Sequence, residues 1–320
     1  MTMGIMVGVA NIIWQQTFGR YDDPLLARVK DLEKKFVERM AHPAVVLLEF
    51  VPSIRHLDGV MGNHIQKFLD VNNGLLANSK TSVTYSSTQY NEDEESESFA
   101  DSFMREMRRR DAKGEEPGTF THTQLVGACY DLWSAGFETT VTTLRFMFHY
   151  MINHPDAQRK VQKEIDEHVG KRSVQMEDQK SLHCCNAVIQ EVQRLANIVT
   201  MNLTRMVNTP MKIDGYDIPV GTRVIPEFNI VHMDEKEYER PDFFFAERHV
   251  NEVGEFMRDP RITPFSLGKR SCLGEGLARM EFFSISPHLF NILPSLPSLK
   301  SLPLSTHRFA SLDLQHRMRC

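Results

Sequence analysis

The sequence predicts a mainly α-helical fold with a small β portion. A long apolar helical stretch from about Thr121 to Asn153, charged and amphipathic helical stretches after it, and one turn-bounded β-type cluster between Met211 and Val224 predict that class. The chain has 320 residues, of which 41% are apolar and 25% charged, with 37 Lys+Arg against 42 Asp+Glu and a net charge of -5. This is ordinary globular composition, so collagen-like, wholly disordered and polytopic membrane classes are excluded. The slight acidity argues against a nucleic-acid binder, which needs a basic surface. The five cysteines, two of them adjacent as Cys184-Cys185, form neither a disulfide framework nor a C-x-x-C spacing. They suit a reducing compartment, with most thiols buried and inert.

Met1 to Gly19 carry no charge, which suggests a leader or an anchor, but there is no basic flank and Asn11, Gln15 and Gln16 interrupt the apolar run. A buried helix is expected, so that the chain begins inside a fold. Asn91–Glu97 is an acidic run that cannot feed a core and reads as a solvated connection. The basic cluster at Arg105 and Arg108–Arg110 reads as a solvated helix face rather than a phosphate- or membrane-binding patch. Thr121 and Gln124 form a capping box for the long helix, and Pro155 forces its end. That span is roughly 45–50 Å long, with Leu125, Cys129, Trp133, Phe137, Leu144 and Phe148 making it apolar almost all round. A central, buried helix is therefore expected.

Pro155 suits the first turn of a charged surface helix ending near Gly170. Another helix covers about Leu182 to Ala196, with Cys184, Ala187, Val188, Glu191, Val192 and Leu195 on its inward stripe. Met211, Ile213, Tyr216, Ile218 and Val224 surround turns at Asp214-Gly215 and Pro219-Val220-Gly221 and fit a small sheet. In Ser284–Cys320, prolines at 287, 294, 297 and 303 forbid a continuous helix, and this segment is expected to be a poorly ordered tail. No internal repeat is present.

Three constellations carry chemistry. In Pro264–Gly274 two glycines flank Cys272 at a loop-to-helix junction, with Arg270 two residues before the thiol. Glycines allow a tight turn and close approach to a flat ligand. Helix N-termini and guanidiniums favour thiolates, and the thiolate is the form that binds metal. The plain alternative is a buried cysteine in a turn. A P-loop is ruled out, because Thr263 stands where its first glycine belongs and Arg270 follows Lys269. Second, Ala135-Gly136-Phe137-Glu138-Thr139 lies in the middle of the long helix. There Gly136 costs about 1 kcal/mol relative to alanine, and Glu138 needs a partner or a task. Glu138 and Thr139 suit proton relay; the alternative is a kinked helix with a satisfied polar pair. Third, Glu191 and Arg194 form an E-x-x-R pair, which Arg248 in Ala246-Glu247-Arg248-His249 would complete as a triad.

In this order and spacing the motifs resemble the cytochrome P-450 superfamily of heme-thiolate monooxygenases, most closely its animal microsomal branch. The signature is complete as Phe265, Gly268, Arg270, Cys272 and Gly274; the oxygen-binding-helix motif is Ala135–Thr139; and the E-x-x-R pair and Arg248 stand where the family has them. The resemblance covers about Met1 to Phe283 and implies a P-450 fold with its long central helix over the heme. It implies Cys272 as the axial ligand of the iron of heme b, Arg270 and, by position, Arg205 as propionate contacts, and Gly136 making room for dioxygen. Thr139 and Glu138 would deliver protons, while Glu191, Arg194 and Arg248 would lock the loop that carries the thiolate. Phe137 and apolar neighbours would line a pocket for a lipophilic substrate such as a xenobiotic, fatty acid or steroid. Electrons would come from NADPH through a flavoprotein reductase, or from a cytochrome b-type donor, with no nucleic-acid partner.

Two departures stand beside this resemblance. The family's N-terminal third, with its membrane anchor, is absent, and the cysteine-bearing helix is expected to stop near Phe283. The expected organisation is a partial heme-thiolate domain over 1–283 and an atypical Ser/Leu/Pro-rich tail over 284–320. Family members of this branch sit on the cytosolic face of the endoplasmic reticulum; this chain would attach peripherally at most, or be cytoplasmic. Besides a monooxygenase, the departures leave open a non-catalytic heme-binding remnant and a truncated product that never folds stably.

Overall fold

The computed structural model describes residues 2–20, 24–90, 98–200 and 202–292. The acidic run Asn91–Glu97 and the chain beyond residue 292 lie outside them. Two compact units meet in sequence between Val141 and Thr142, inside one continuous helix.

The first unit contains α1 (Thr2–Phe18), α2 (Leu25–Met40), α3 (Pro43–Phe50), α4 (His64–Gln89), α5 (Phe99–Ala112) and the N-terminal part of α6 (His122–Asn153). The charge-free start of the chain is the buried helix expected of it: Val9, Ala10, Ile13, Trp14 and Phe18 are all in the core. Trp14 meets Trp133 of α6 edge-on at 5.0 Å, and Trp133 stacks on Phe137 at 5.0 Å. Phe137 is therefore a core residue of this unit. In α2, Leu26, Val29, Glu33 and Val37 face inward at helical spacing. The Asp58 carboxylate caps α4, accepting from the amides of Ile65 and Gln66 at 2.8 Å each. The Ser79 hydroxyl ties α4 to the Val126 carbonyl of α6 at 3.0 Å. On α5 the arginines are satisfied locally: Glu106 accepts from Arg109 and Arg110, whose guanidiniums hold its carboxyl down at about 2.

Thr121 caps α6 through its hydroxyl, which accepts from the Gln124 amide at 3.2 Å. The helix is not buried all round as expected. Leu125, Cys129, Trp133, Phe137 and Leu144 are in the core, but Asp131, Ala135 and Thr139, one turn apart, form an exposed stripe.

The second unit holds the rest of α6, α7 (Pro155–His168), α8 (His183–Ala196), α9 (Asn229–His232), α10 (Glu275–Ile292) and four short strands. Gly170 ends α7 at φ +67°. The α8 N-terminus is capped from α7, where Glu164 accepts from the amides of Cys184 and Cys185 at 2.8 and 3.0 Å. Strands β2 (Met211–Ile213) and β3 (Tyr216–Ile218) form the expected hairpin, with Asp214 and Gly215 at φ +48° and +83°. These are the left-handed values of a tight two-residue turn. Strands β1 (Arg205–Met206) and β4 (Arg223–Val224) pair antiparallel in a separate sheet.

The expected end of α10 near Phe283 is corrected: the helix continues to Ile292 with Pro287 inside it. Proline removes one helical donor, a cost of about 3 kcal/mol in an isolated helix. Tertiary contacts offset it here, because Phe282, Phe283, Ser286 and Phe290 are buried and Gln162 of α7 donates to the Phe290 carbonyl at 2.7 Å. Among the described residues no helix is long and apolar enough to cross a membrane.

Candidate functional site

The loop before α10 is closed by its own backbone. The Ser266 amide donates to Thr263 O at 3.1 Å, Ser271 to Gly268 O at 3.0 Å, and Cys272 back to Phe265 O at 2.8 Å. Gly268 opens a 3-10 turn to Arg270 at φ +73°, where a side chain would be strained. Cys272 then stands just ahead of the first turn of α10, the position the sequence predicts. Ser266 also has a positive φ, +66°, uncommon for a residue with a Cβ. Its hydroxyl is held by two donors, Asn202 Nδ2 at 3.0 Å and Arg205 Nη2 at 3.1 Å. The structure thus brings Arg205, Phe265, Gly268, Arg270, Cys272 and Gly274 to one loop. Ser266, which fastens Arg205 to it, and Asn202, which holds Ser266, were not among the site residues expected from the sequence.

The donor set fits a metal carried by a macrocycle. Burial pushes the Cys129 thiol up to about 12, Cys184 up to about 11 and Cys185 higher still, whereas Cys272 is exposed. Among the described residues no three His, Cys, Asp or Glu side chains cluster to cage an ion. A single cysteine sulfur would suit an iron whose remaining ligands a cofactor supplies. Beside the thiol, Leu273 is 88% exposed and Leu267 67%, an apolar rim for a flat ring. A Cβ on Gly274 would meet only Cys272 Sγ, at 3.9 Å, so the chain itself does not crowd this glycine.

On α6, the Thr139 hydroxyl donates to Ala135 O at 2.6 Å, and Glu138 is half-buried. The helix runs unbroken through Gly136. A Cβ there would meet Ile13 of α1 at 3.1 Å, so close helix packing already calls for a glycine. Glu33 of α2, not anticipated from sequence, accepts from Ser134 of α6 at 2.7 Å.

The E-x-x-R pair is the best-satisfied polar group of the second unit. Both side chains are fully buried. Glu191 Oε1 accepts from Arg194 at 2.9 Å, Arg248 at 3.1 Å and the Phe245 amide at 3.1 Å; Oε2 accepts from Arg194 at 3.0 Å and lies 2.8 Å from His249 Nε2. Burial alone would raise this carboxyl, but His249 and Arg194 outweigh it and hold the group at about 2. Arg194 also donates to the carbonyls of His232 at 2.6 Å and Pro241 at 2.7 Å, pinning irregular backbone that no sheet supports. The buried His232 ring accepts the Thr263 amide at 3.2 Å, so the clamp reaches the start of the cysteine loop. Arg248 was expected here; His249 and His232 were not.

Comparison with known proteins agrees with this geometry. The family model described as Cytochrome P450 matches residues 4–296. The chain is 38% identical to the probable cytochrome P450 CYP36A1 of Caenorhabditis elegans over 86% of this chain and 57% of that protein. It is 36% identical to cytochrome P450 2D26 of Rattus norvegicus and 35% identical to cytochrome P450 2D6 of Homo sapiens, again over 86% of this chain, but 54% and 55% of theirs. The chain therefore spans about half the length of these relatives. A family match over residues 4–296 and more than a third of positions identical to a relative over 86% of this chain settle its ancestry: the chain belongs to the cytochrome P450 family.

Proposed function

We propose that this chain carries heme-thiolate monooxygenase chemistry, inserting one atom of dioxygen into a lipophilic small molecule with two electrons from NADPH through a flavoprotein reductase or a cytochrome b-type donor. The observation that carries the reading is Cys272, the exposed thiol, in a loop closed by its own amide and fastened to Arg205. Cys272 would ligate the iron, while Arg270 and Arg205 would hold the two propionates as forked cations. Arg270 is exposed, two residues before the thiol. Phe265, Gly268 and Gly274 would shape the loop around the ring. Heme b held by Cys272, Arg270 and Arg205 would supply the dioxygen-activating chemistry.

The chain's own part on α6 is proton handling. Glu138 and Thr139 are adjacent in sequence, and the Thr139 hydroxyl is oriented by its bond to Ala135 O. Gly136 admits Ile13 of α1 where a Cβ would crowd it. Substrates of the xenobiotic, fatty-acid or steroid type suit such a site, at the cytosolic face of the endoplasmic reticulum. The domain would extend to the end of α10 at Ile292 rather than to 283, because that helix stays packed on α7 as far as Phe290.

A second reading, a non-catalytic heme-binding protein, draws on the chain's spanning only about half of its relatives' length. Oxygen-18 gas separates the two. With heme, reductase, NADPH and a panel of lipophilic compounds, the first reading expects a product carrying one labelled atom and a Thr139→Ala variant that consumes NADPH with less product. Heme uptake without labelled product supports the second reading and contradicts the first.

A further inference from the structure

In the first unit α3 and the 3-10 turn that follows it, Pro52–Leu57, rest on a small core of their own. Ala44 and Val45 of α3 and Ile65 of α4 are buried, with Leu48, Ile54, Met61 and Phe68 packed against them. Where the chain leaves α2, His42 is the N-cap of α3, and its Nδ1 accepts from the Ala44 amide at 3.2 Å. Its ring lies flat on that of His64, the first residue of α4, with centroids 3.7 Å apart and planes inclined by 10°. Both histidines are half-buried. A side chain on Gly62 would meet His64 Nε2 at 3.2 Å, so the chain turns past this ring at a glycine with φ +91°. We propose that the stacked His42–His64 pair is a proton-sensitive latch on α3 and its 3-10 turn, closed against α4 while His42 is neutral and released when His42 takes up a proton.

Three features tie the contact to the charge of His42. A ring nitrogen that accepts a hydrogen bond carries no proton, so the Ala44 bond requires the neutral tautomer with its proton on Nε2. A protonated His42 would set a cation at the N-terminus of α3, where the helix dipole disfavours it. It would also lay that charge on the face of a second titratable ring, and two charged rings 3.7 Å apart repel. Histidine is the side chain whose ordinary charge change falls in the mildly acidic range. Burial lowers His42 from its ordinary value, the charges of His64 and of Arg39 on α2 lower it further, and Asp58 opposes them. Asp58 is already engaged, since its two oxygens accept from the Ile65 and Gln66 amides. Of the other basic groups on the packed elements, Arg55 and His56 of the 3-10 turn are exposed, and Lys67 of α4 donates to the Gly62 carbonyl at 2.9 Å. Release would bare Ala44, Val45 and Ile65 beside the already exposed Val46, Leu47 and Phe50.

Amide hydrogen exchange of the full chain, read by mass spectrometry over a series of pH values and corrected for the intrinsic exchange rate, tests the latch. A released His42 titrates near 6.5, whereas the closed one resists the proton. The opening constant of residues 43–57 should therefore rise as pH falls below about 6.5, by up to about tenfold per pH unit. Residues 9–18 of α1, in the core of the same unit, should stay protected. His42→Asn keeps a capping oxygen that cannot titrate, so it should hold the segment closed and flatten its pH dependence. His64→Gln removes a neighbouring charge and should raise the His42 midpoint read by nuclear magnetic resonance of the imidazole nitrogens. Opening of 43–57 that is independent of pH in the parent, or whose pH dependence survives in His42→Asn, overturns the proposal. So does opening that always accompanies loss of α1 protection, because that is unfolding of the unit and not release of the segment.

Discussion

Glu191→Ala is expected to lower the unfolding free energy by roughly 3–5 kcal/mol, the cost of removing one partner from a buried ion pair. The reason is the company left behind. Arg194 is fully buried, and without Glu191 its guanidinium would keep only the carbonyls of His232, Pro241 and Phe243 as partners. The Phe245 amide, Arg248 and His249 would lose the same acceptor. Since ordinary domains have only about 5–15 kcal/mol in hand, the variant should unfold at much lower urea and fail to retain heme. The control is Glu167→Ala, which breaks an exposed i,i+4 pair with Lys163 and should cost under about 0.5 kcal/mol. Urea unfolding followed by circular dichroism reads both; equal midpoints for the two variants would show that the clamp does not hold the fold.

Acidification is expected to weaken the fold in two steps, the first set by His232. Burial and the adjacent Arg194 charge lower this ring to about 4, and its Nε2 accepts the Thr263 amide, so the folded state needs it neutral. An unfolded histidine titrates near 6.5 and takes up a proton that the folded one refuses. Unfolding therefore binds protons between about 6.5 and 4. The stabilisation is complete above 6.5, falls as pH drops through this window and levels off below 4, a loss on the order of 3 kcal/mol in all. Glu191, held at about 2, continues the loss with the same sign below its unfolded value near 4.5. Urea midpoints at pH 7.5 and 5 should differ in the parent and much less in His232→Gln. A parent whose midpoint is flat across that range would contradict the assignment.

Several helices and one turn were readable because their signals are local. Pro155 and Gly170 bracket α7, Thr121 caps α6, and Asp214-Gly215 can form only a tight turn. The motif cysteine was legible through the glycines and arginine spaced around it, whereas Glu191, Arg194 and Arg248, a weak pattern alone, were legible only through their order with the other motifs. What escaped depends on partners distant in sequence. The passage of α10 through Pro287 needs the Gln162 contact and buried phenylalanines, which no local rule contains. The exposed stripe of α6 arises because its neighbours cover some faces and not others. Ser266 holds its left-handed backbone through Asn202 and Arg205, and Glu33 finds Ser134 across a long stretch of chain. Gly136 shows the converse: the motif pointed to a ligand, while the space beside it is taken up by Ile13.

The central claim is that Cys272 is the thiolate that ligates heme iron. A carbon-monoxide difference spectrum of the reduced, heme-reconstituted chain tests it most directly, recorded beside Cys272→Ala and, for comparison, Cys184→Ala. The account predicts the strongly red-shifted Soret band of thiolate ligation in the parent and in Cys184→Ala, and its complete loss in Cys272→Ala. A parent that binds heme without that band, or a Cys272→Ala variant that keeps it, would contradict the account.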